Sequence, residues 1–276
     1  MECKVPEQWK TSKTVLLFKK GERDLIKNYR PIALLSQPYK LFTKIILNRL
    51  EKILDEFQPV EQAGFRMNFS CIDHIHTVTQ LIERQREYKQ PLYSCFIDYV
   101  KAFDSVELNA VWNALNKAGV DAEYINLLEE SNMGTTTKIK MFMKELTIPI
   151  GKGVRQGDTI SPKLFTAALQ HAMIKLDWED KGIMIDGKKL NNLRFADDIV
   201  LISHSSAELQ SMVNDLDKVG KAIGLEMNRS KTEVMRNSWT TADPITVGGI
   251  PLPYVDKYIY LRRLVSMDNN LKAEIS

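Results

Sequence analysis

Carboxylates set in apolar segments are the residues of this sequence whose type and spacing best suit chemistry. Asp197 and Asp198 stand side by side in the apolar segment LRFADDIVLIS (193–203). Asp98 lies near the end of a second apolar segment, LYSCFIDYV (92–100). Burying an uncompensated charge is costly, so carboxylates in such positions need a cation. An Asp-Asp pair is also good turn chemistry, and a solvated hairpin turn is the competing interpretation.

Both segments have the composition of strands, and neighbouring strands would bring the three carboxylates to one point. Mg²⁺ takes oxygen ligands and keeps waters and substrate phosphates in its shell. Two such ions about 3.5–4 Å apart can activate an attacking oxygen and stabilise a leaving one in phosphoryl transfer. Three converging aspartates could therefore hold two Mg²⁺ ions, or Mn²⁺ in their place. The spacing alone leaves a polymerase, a nuclease and a phosphatase open.

Composition and charge bound the class of protein. The 276 residues are 44% hydrophobic and 26% charged, as in a globular protein of one large domain or two subdomains. The sequence has neither an 18-residue apolar run nor an apolar signal region, so we expect no membrane helix and no secretion. The three widely spaced cysteines favour reduced thiols in an intracellular compartment. Residues 1–60 carry 12 Lys and Arg against 7 Asp and Glu, which fits either a polyanion partner or a solvated charged face.

Strand-like and helix-like segments follow one another without regular alternation, which favours the α+β class. Strands are predicted at 14–18, 92–100, 137–143, 145–150 and 257–265, the third and fourth paired, with a Gly-Gly hairpin in 245–252. Helices are predicted at 39–57, at 71–88, at 105–119 with Ser105 as N-cap, from Ser161-Pro162 onward, and at 206–224.

Three motifs in this order resemble the successive palm motifs of reverse transcriptases from non-LTR, LINE-type retrotransposons: FIDYVKAFDSV (96–106), GVRQGDTISPKLF (153–165) and LRFADDIVLIS (193–203). FKKGERDLIKNYRPIALLSQPYKLF and EQAGFRMNFSCIDHIHTV resemble the fingers blocks of that family. GLEMNRSKTEVM resembles the block after the Asp-Asp hairpin. The resemblance covers roughly residues 6–265.

The resemblance implies an α+β right-hand polymerase with an antiparallel palm sheet backed by helices and a thumb that is absent or truncated. Fingers are expected at 1–91, with a part returning at 120–150, and the palm with the catalytic site at 92–240. A primer-grip-like hairpin and the start of a thumb are expected at 241–276. The implied activity is RNA-directed DNA synthesis, the addition of dNTPs to a primer 3′-hydroxyl. The implied partners are an RNA template, a DNA primer and dNTPs, without a membrane, in the nucleus and cytoplasm.

Residue roles also follow from the resemblance. Asp98, Asp197 and Asp198 would hold the metal ions, the carbonyl of Tyr99 would complete the coordination, and Lys231 would assist pyrophosphate departure. The residues that would bind the nucleotide are Lys20, Arg30, Lys101, Ala102, Phe103, Gln156 and Gly157. Among them, the Phe103 ring would collide with a 2′-hydroxyl and so favour dNTPs. Arg66 and Arg155 would contact nucleic acid.

The sequence departs from the family pattern near its end, where YIYLRRLV has Arg262 in place of an expected glycine. If a positive φ or a close approach of the primer requires glycine there, Arg262 strains or displaces the primer grip. A catalytically silent nucleic-acid-binding remnant of a mobile-element polyprotein is therefore the alternative function. A two-metal nuclease is disfavoured by the fingers-like and GVRQGDTISP blocks. Group II intron maturases share the same catalytic core, but FIDYVKAFDSV and FADDIVLIS resemble a LINE-type element more. The segment CIDHIH lacks the second ligand pair that a zinc site needs.

Overall fold

The structure, a computed structural model, describes residues 4–19, 21–141 and 144–268. Its α-helices are α1 (Gln37–Glu56), α2 (Cys71–Glu87), α3 (Ala102–Ser105), α4 (Leu108–Lys117), α5 (Ala122–Asn132), α6 (Ser161–Met173) and α7 (Ser206–Ala222). Its strands are β1 (Thr11–Phe18), β2 (Tyr29–Leu34), β3 (Tyr93–Ile97), β4 (Thr136–Met141), β5 (Lys144–Pro149), β6 (Ile183–Ile185), β7 (Lys188–Leu190), β8 (Asn192–Phe195), β9 (Asp198–Ser203), β10 (Glu233–Arg236), β11 (Thr246–Val247), β12 (Ile250–Pro251), β13 (Lys257–Tyr260) and β14 (Arg263–Ser266). None of the helices in these ranges has the length and apolar character needed to cross a membrane.

Two compact units are interleaved along the chain. The first unit is Met1–Gln58 with Phe103–His171, and the second unit is Pro59–Ala102 with Ala172–Ser276. This division differs from the three consecutive segments predicted from the sequence, because α2 packs in the second unit and α4 and α5 lie in the first. The segment 120–150, predicted to return to the fingers, lies in the first unit.

A mixed four-stranded sheet in the order β2-β1-β4-β5 frames the first unit. β1 pairs antiparallel with β2 and parallel with β4, and β4 pairs antiparallel with β5, as predicted. α1 begins after Ser36, whose side chain accepts a backbone hydrogen bond from the first helical turn. The buried Lys163 of α6 forms an ion pair with Asp55 of α1, so a charged contact joins these two helices.

Four antiparallel strands in the order β10-β3-β9-β8 form the sheet of the second unit. A core cluster from α2, this sheet and two hairpins packs together, and its buried members are Val78, Leu81, Ile82, Leu92, Phe96, Ile183, Leu193, Val200, Ile202, Met235, Tyr260 and Val265. α7 packs on β3 and β9. It buries Leu209, Met212, Val213 and Leu216, the apolar stripe at helical spacing that the sequence shows. Helices and an antiparallel sheet thus occur together, and the α+β class is confirmed.

Two local helix predictions differ from the structure. Ser105, predicted to cap a helix, is instead the last residue of α3, and Glu107 precedes α4. α5 was not predicted, because its buried residues are only Leu128 and Ser131 and it lacks a strong apolar stripe.

The predicted last strand, 257–265, is a hairpin. Leu261 and Arg262 form the turn between β13 and β14, with φ values of 48° and 69°. Positive φ at both central residues is the mark of a type I′ turn, which usually contains glycine or asparagine. The local pattern predicted a continuous strand because neither residue is a turn former, whereas the family resemblance implied a hairpin within 241–276. The predicted hairpin at Gly248 and Gly249 is confirmed by the pairing of β11 with β12.

Candidate active site

Asp98 and Asp198 lie at the same end of the pair formed by β3 and β9. The antiparallel register of these strands ends with Ile97 opposite Ile199. Continued by one residue, the register sets Asp98 opposite Asp198. Opposite residues of antiparallel strands carry their side chains on one face, with Cβ atoms about 5 Å apart. The predicted adjacency of the two carboxylate-bearing strands is therefore confirmed.

A two-residue turn, Ala196–Asp197, joins β8 to β9. Phe195 pairs with Asp198, so Asp198 begins β9 and Asp197 belongs to the turn. Ala196 has a φ of 59°, the positive value that a type II′ turn requires at its first central position. A residue other than glycine in this conformation costs about 1–2 kcal/mol. The turn that carries Asp197 is therefore strained.

The segment containing Gln62 and Gly64 packs against this turn. The Gln62 Oε1 atom accepts hydrogen bonds from the backbone N atoms of Gly64 and Ala196, each 3.1 Å long. The Gln62 Nε2 atom donates to the Gly64 carbonyl at 3.0 Å. A Cβ on Gly64 would lie 2.5 Å from the Ala196 N atom, so only glycine fits without a shift of the backbone. Ala196 is buried, and its N–H group would cost about 1–3 kcal/mol if it lost its partner.

The loop that precedes β10 fixes the backbone of Asp98. The Asn228 N atom donates to the Asp98 carbonyl at 2.7 Å. The hydroxyl of the buried Thr232 accepts a hydrogen bond from the Asp98 N atom at 3.2 Å and donates to the Asp98 carbonyl at 3.4 Å. Because β10 pairs with the edge of β3 away from β9, these bonds hold Asp98 from the side opposite Asp198.

One carboxylate oxygen of Asp98 is available to a cation. Its Oδ1 atom is buried and accepts no hydrogen bond from the described part of the chain. Lys231 forms an ion pair with this atom, Nζ to Oδ1 3.5 Å, from a side chain that is 59% exposed. A buried carboxylate oxygen without a donor needs a positive charge, which an exposed lysine supplies only weakly.

The described donor set for the predicted metal ions is smaller than a cage of three carboxylates. Within residues 4–19, 21–141 and 144–268, no group of three or more His, Cys, Asp or Glu side chains is arranged to hold a metal ion. Asp98, Asp197 and Asp198 thus do not form a ready-made cage of three carboxylates. Mg²⁺ is commonly held by one or two carboxylates together with substrate phosphates. Asp98 and Asp198, with the buried Asp98 Oδ1 atom that accepts no described hydrogen bond, fit that smaller requirement.

Tyr99 turns its carbonyl toward the carboxylate-bearing hairpin. Its bridge partner is Met227, and the hydrogen bonds on that side are made by the neighbours Asp98 and Val100. Backbone groups of successive residues in an extended chain point to opposite sides, so the Tyr99 carbonyl points toward β9. This orientation agrees with the coordination role predicted for that carbonyl.

The charges of both carboxylates act on the phenol of Tyr258 in β13. Its ring stacks on Phe96, with ring centroids 4.1 Å apart. Burial raises the pKa of the Tyr258 phenol, and the negative charges of Asp198 and Asp98 raise this pKa further. Tyr258 therefore lies close enough to both carboxylates for their charge to act on its phenol.

In the first unit, Phe103 has a fixed ring. It stacks on the buried Phe165, with centroids 4.5 Å apart and planes 17° apart. The Phe103 carbonyl accepts a hydrogen bond from the Val154 N atom at 2.7 Å. Ring and backbone are therefore both restrained, which a residue that discriminates by collision requires.

Gln156 and Gly157 are held by the elements beside them. The Gln156 Nε2 atom donates to Asp104 Oδ1 at 2.8 Å. Gly157 has a φ of 107°, and a Cβ there would lie 2.8 Å from the carbonyl oxygen of Ala33 in β2. The glycine is thus required for packing of the loop on β2, a reason that the sequence did not reveal.

The other predicted nucleotide contacts differ in exposure. Arg30, opposite Leu17 in the β1–β2 pair, is exposed. Lys101 is exposed with a φ of 47°, and Ala102 is the buried first residue of α3. Lys20 lies outside the described residues.

Arg155 occupies a structural position instead of the predicted nucleic-acid contact. It is buried, and its guanidinium donates to the carbonyls of Trp9 at 3.2 Å and Ser131 at 2.8 Å. The guanidinium also lies over the ring of Tyr39, 4.9 Å from the centroid. An arginine used in this way inside the protein is not offered to a phosphate backbone.

Arg66 also bonds within its own segment. Its Nη1 atom donates to the carbonyls of Pro59 at 2.6 Å and Gln62 at 2.9 Å. The guanidinium lies 4.2 Å from the ring centroid of Phe69. These contacts give Arg66 a structural role in bracing the loop around Gln62. Arg66 is partly exposed, and its template contact stays a prediction.

Four residues that shape the site had no role in the sequence analysis: Gln62, Gly64, Asn228 and Thr232. All four lie in blocks that carry the family resemblance, EQAGFRMNFSCIDHIHTV and GLEMNRSKTEVM. Their membership of these blocks was a usable signal. Their partners are far away in the sequence, so the contacts themselves could not be read from it.

Comparison with known proteins agrees with the motifs. Residues 17–252 match the family model for reverse transcriptase (RNA-dependent DNA polymerase). The chain is 29% identical over 232 residues to a retrovirus-related Pol polyprotein from type-1 retrotransposable element R2 of Popillia japonica, covering 83% of this chain and 32% of that protein. It is 28% identical over 252 residues to a probable RNA-directed DNA polymerase from transposon BS of Drosophila melanogaster, covering 87% of this chain and 27% of that protein. The chain thus spans about a third or less of these relatives.

Solved structures show the same fold at low sequence identity. Apo telomerase of Candida tropicalis, truncated from its C-terminal domain, has a TM-score of 0.65 and 13% identity, covering 94% of this chain and 54% of that one. Telomerase of the same organism in complex with a TWJ fragment of telomeric RNA has a TM-score of 0.60 and 13% identity, covering 98% and 46%. At this identity the likeness concerns the fold, which is that of a polymerase.

Proposed function

Because the chain belongs to the reverse transcriptase (RNA-dependent DNA polymerase) family, we propose that it adds dNTPs to a primer 3′-hydroxyl as directed by an RNA template. Its similarity to polyproteins of R2 and BS elements makes it a domain of the non-LTR retrotransposon type. The observation that carries the proposal is the register of β3 and β9, which when continued by one residue sets Asp98 opposite Asp198. The buried Asp98 Oδ1 atom there accepts no described hydrogen bond and has only the exposed Lys231 beside it as an ion-pair partner in the described structure.

In the second unit, Asp98, Asp197 and Asp198 would hold two Mg²⁺ ions, or Mn²⁺ in their place, with the Tyr99 carbonyl as a further ligand. Such ions supply the charge that an attacking hydroxyl and a leaving pyrophosphate require. Lys231 is exposed and close to Asp98, so its ammonium group would meet the departing pyrophosphate. The hydrogen bonds of Thr232 and Asn228 with the Asp98 backbone would hold Asp98 in position during the reaction.

In the first unit, the proposed nucleotide contacts are residues held by packing. The Phe103 ring, supported by Phe165, would exclude a 2′-hydroxyl by collision. Gln156, tied to Asp104, would contact the incoming nucleotide through its other amide atom. Arg30 is exposed on β2 and would donate paired hydrogen bonds to a phosphate.

An RNA template and a DNA primer are the proposed partners. A likeness to a telomerase whose structure contains an RNA fragment supports the RNA partner. We place the protein, as part of a retrotransposon ribonucleoprotein, in the nucleus and cytoplasm.

The test is primer extension by the purified chain on an RNA template with a DNA primer, in Mg²⁺ and separately in Mn²⁺. Asp98→Asn and Asp198→Asn are the variants, because each removes one charge with little change of shape. Asp186→Asn is the matched control: Asp186 lies in the turn between β6 and β7 of the same unit, with a φ of 46° that asparagine tolerates.

We expect extension by the wild type and by Asp186→Asn, with a loss of about 10³-fold or more in the other two variants, because each removes part of the metal's charge balance. Equal activity of Asp98→Asn and wild type would refute the proposed role of this carboxylate. No extension by a folded wild type that still binds RNA would favour the silent nucleic-acid-binding remnant.

A further inference from the structure

The backbone beside Gln62 forms an added edge on β8. The Ala63 N atom donates to the Arg194 carbonyl at 2.9 Å, and the Arg194 N atom donates to the Glu61 carbonyl at 2.7 Å. The segment therefore runs parallel to β8. This pairing carries the Gln62 side chain to the end of the strand, where the turn to β9 begins.

The orientation of the Gln62 amide is set by its neighbours. Oε1 meets two N–H donors, of Gly64 and Ala196, and Nε2 meets the carbonyl of Gly64. A rotated amide would set Nε2 against the two donors and Oε1 against the carbonyl. The side chain is 1% exposed, so water cannot take over these bonds while the packing is intact.

The Ala196 N–H group takes no part in the internal hydrogen bond of the two-residue turn. The internal hydrogen bond of such a turn joins the first and fourth residues, here Phe195 and Asp198. The N–H of the second residue points out of the turn, and Gln62 is its acceptor. Gly64 packs closely against the same N atom. A hydrogen bond and a packing contact therefore both restrain the peptide group of Ala196.

We propose that Gln62 is a positioning residue, whose amide fixes the Ala196–Asp197 turn and with it the carboxylates of Asp197 and Asp198 for binding divalent cations. This inference rests on the proposed function. Residues that orient metal ligands without touching the metal commonly change metal affinity or activity by about 10–100-fold when replaced. A glutamine that only satisfied buried groups would affect folding and leave both quantities unchanged in the folded protein.

The test compares Gln62→Met, which keeps the length of the side chain and removes both hydrogen-bonding atoms, with Gln85→Met. Gln85 is a buried glutamine of α2 in the same unit, so this control makes the same exchange away from the turn. Mn²⁺ binding to the full chain is measured by electron paramagnetic resonance without nucleotide, and kcat and KM for dNTP are measured by primer extension. Both are recorded well below the thermal midpoint of each variant.

For Gln62→Met we expect the Kd for Mn²⁺ to rise about 10-fold and kcat to fall about 10–100-fold, with KM for dNTP within about threefold of wild type. Gln85→Met should match the wild type in all three. Wild-type Mn²⁺ affinity and kcat in folded Gln62→Met would overturn the inference. If Gln62→Met does not fold, Gln62→Glu is measured by the same criteria, since it keeps an acceptor for Ala196 but sets a carboxylate oxygen against the Gly64 carbonyl.

Failure of the proposed function gives a different result. If the wild type and Asp197→Ala with Asp198→Ala bind Mn²⁺ equally, the carboxylates are not the metal ligands, and the proposed function and the inference fail together. If the aspartate variant loses Mn²⁺ while Gln62→Met binds it as tightly as the wild type, only the positioning role of Gln62 fails.

Discussion

Two hairpin turns of the second unit place an unsuitable residue at positive φ, and they are supported in different ways. In the turn between β8 and β9 the residue is Ala196, buried under Gln62 and Gly64. In the turn between β13 and β14 the residues are Leu261 and Arg262. Arg262 is exposed, and the described contact of Leu261 is packing against the core cluster.

The two turns differ in how their surroundings support a strained backbone. Around the Ala196–Asp197 turn, a buried amide and a close glycine over-determine a conformation that alanine disfavours, and this turn carries two candidate metal ligands. At the Leu261–Arg262 turn, the described support is the packing of Leu261 on the core cluster, and the resemblance implies a glycine at position 262. The two turns therefore differ in how far their described surroundings restrain a disfavoured backbone conformation.

The largest expected effect comes from breaking the support of the first turn with Gly64→Ala. A Cβ there would lie 2.5 Å from Ala196 N and 2.9 Å from Phe195 C, so backbone must move. We expect a loss of about 3 kcal/mol in the free energy of unfolding, measured by urea denaturation. Primer extension should fall about 100-fold below wild type while the variant is still folded, because the carboxylates shift with the turn.

Gly151→Ala is the control for that change. Gly151 is outside the positive-φ region, and nothing lies near the added methyl group. Its free energy of unfolding should stay within about 0.5 kcal/mol of wild type. Equal losses in the two variants would show that the close approach at Ala196 does not matter.

Low pH should lower the free energy of unfolding, because His74 of α2 is buried in the unit that contains the first turn. Burial lowers the pKa of this imidazole to about 4, and the charge of Arg194 in β8 lowers it as well. The unfolded chain, with a histidine pKa of about 6.5, binds more protons between pH 6.5 and 4. Stability is therefore full above pH 6.5 and falls by up to about 3 kcal/mol as the pH drops to 4.

The measurement is the free energy of unfolding at pH 7 and pH 4.5 for wild type, His74→Gln and His76→Gln. His74→Gln should lose part of the acid sensitivity, because glutamine takes up no proton. His76 is exposed on the same helix, and its replacement should leave the sensitivity as in the wild type. An unchanged pH dependence in His74→Gln would contradict the assignment.

Arg262→Gly should relieve the second turn. Glycine adopts positive φ without strain, and we expect a gain of about 1 kcal/mol, less the entropy that glycine loses on folding. Arg263→Gly is the matched control, since Arg263 is the first residue of β14, where glycine should cost about 0.5–1 kcal/mol. Opposite signs in urea denaturation support the assignment of strain, and a loss in both variants would remove it.

The residue types in the turns also determined which turns could be predicted from the sequence. Of the two-residue hairpins among the described residues, those at Asp186–Gly187 and Gly248–Gly249 contain the residue types that favour positive φ. The Gly-Gly hairpin was predicted on that basis. The turn at Leu261–Arg262 contains no such residue, so the local pattern predicted a strand there, and only the family resemblance implied a hairpin.

Some features of the candidate site could likewise be predicted from the sequence, and others could not. The order and type of the carboxylate motifs predicted the adjacency of Asp98 and Asp198, because motif order and buried strands are properties of the local sequence. The hydrogen bonds that the backbone N atoms of Asp98 and Ala196 donate, to Thr232 and Gln62 respectively, each join residues 134 positions apart. The buried structural use of Arg155 likewise depends on Trp9, which is distant in the chain, so a charge-based prediction could only treat it as a ligand contact.

The smallest effect is expected for Leu261→Asn, which divides the second turn into its two components. Asparagine tolerates positive φ better than leucine, a gain of about 1 kcal/mol, but the packing of Leu261 on the core cluster is lost at a similar cost. We therefore expect a net change within about 0.5 kcal/mol by urea denaturation. With Arg262→Gly added, the turn becomes Asn-Gly, the preferred type I′ pair, and should retain the gain of Arg262→Gly alone. A double variant less stable than wild type would mean that Leu261 packing outweighs backbone strain at this turn.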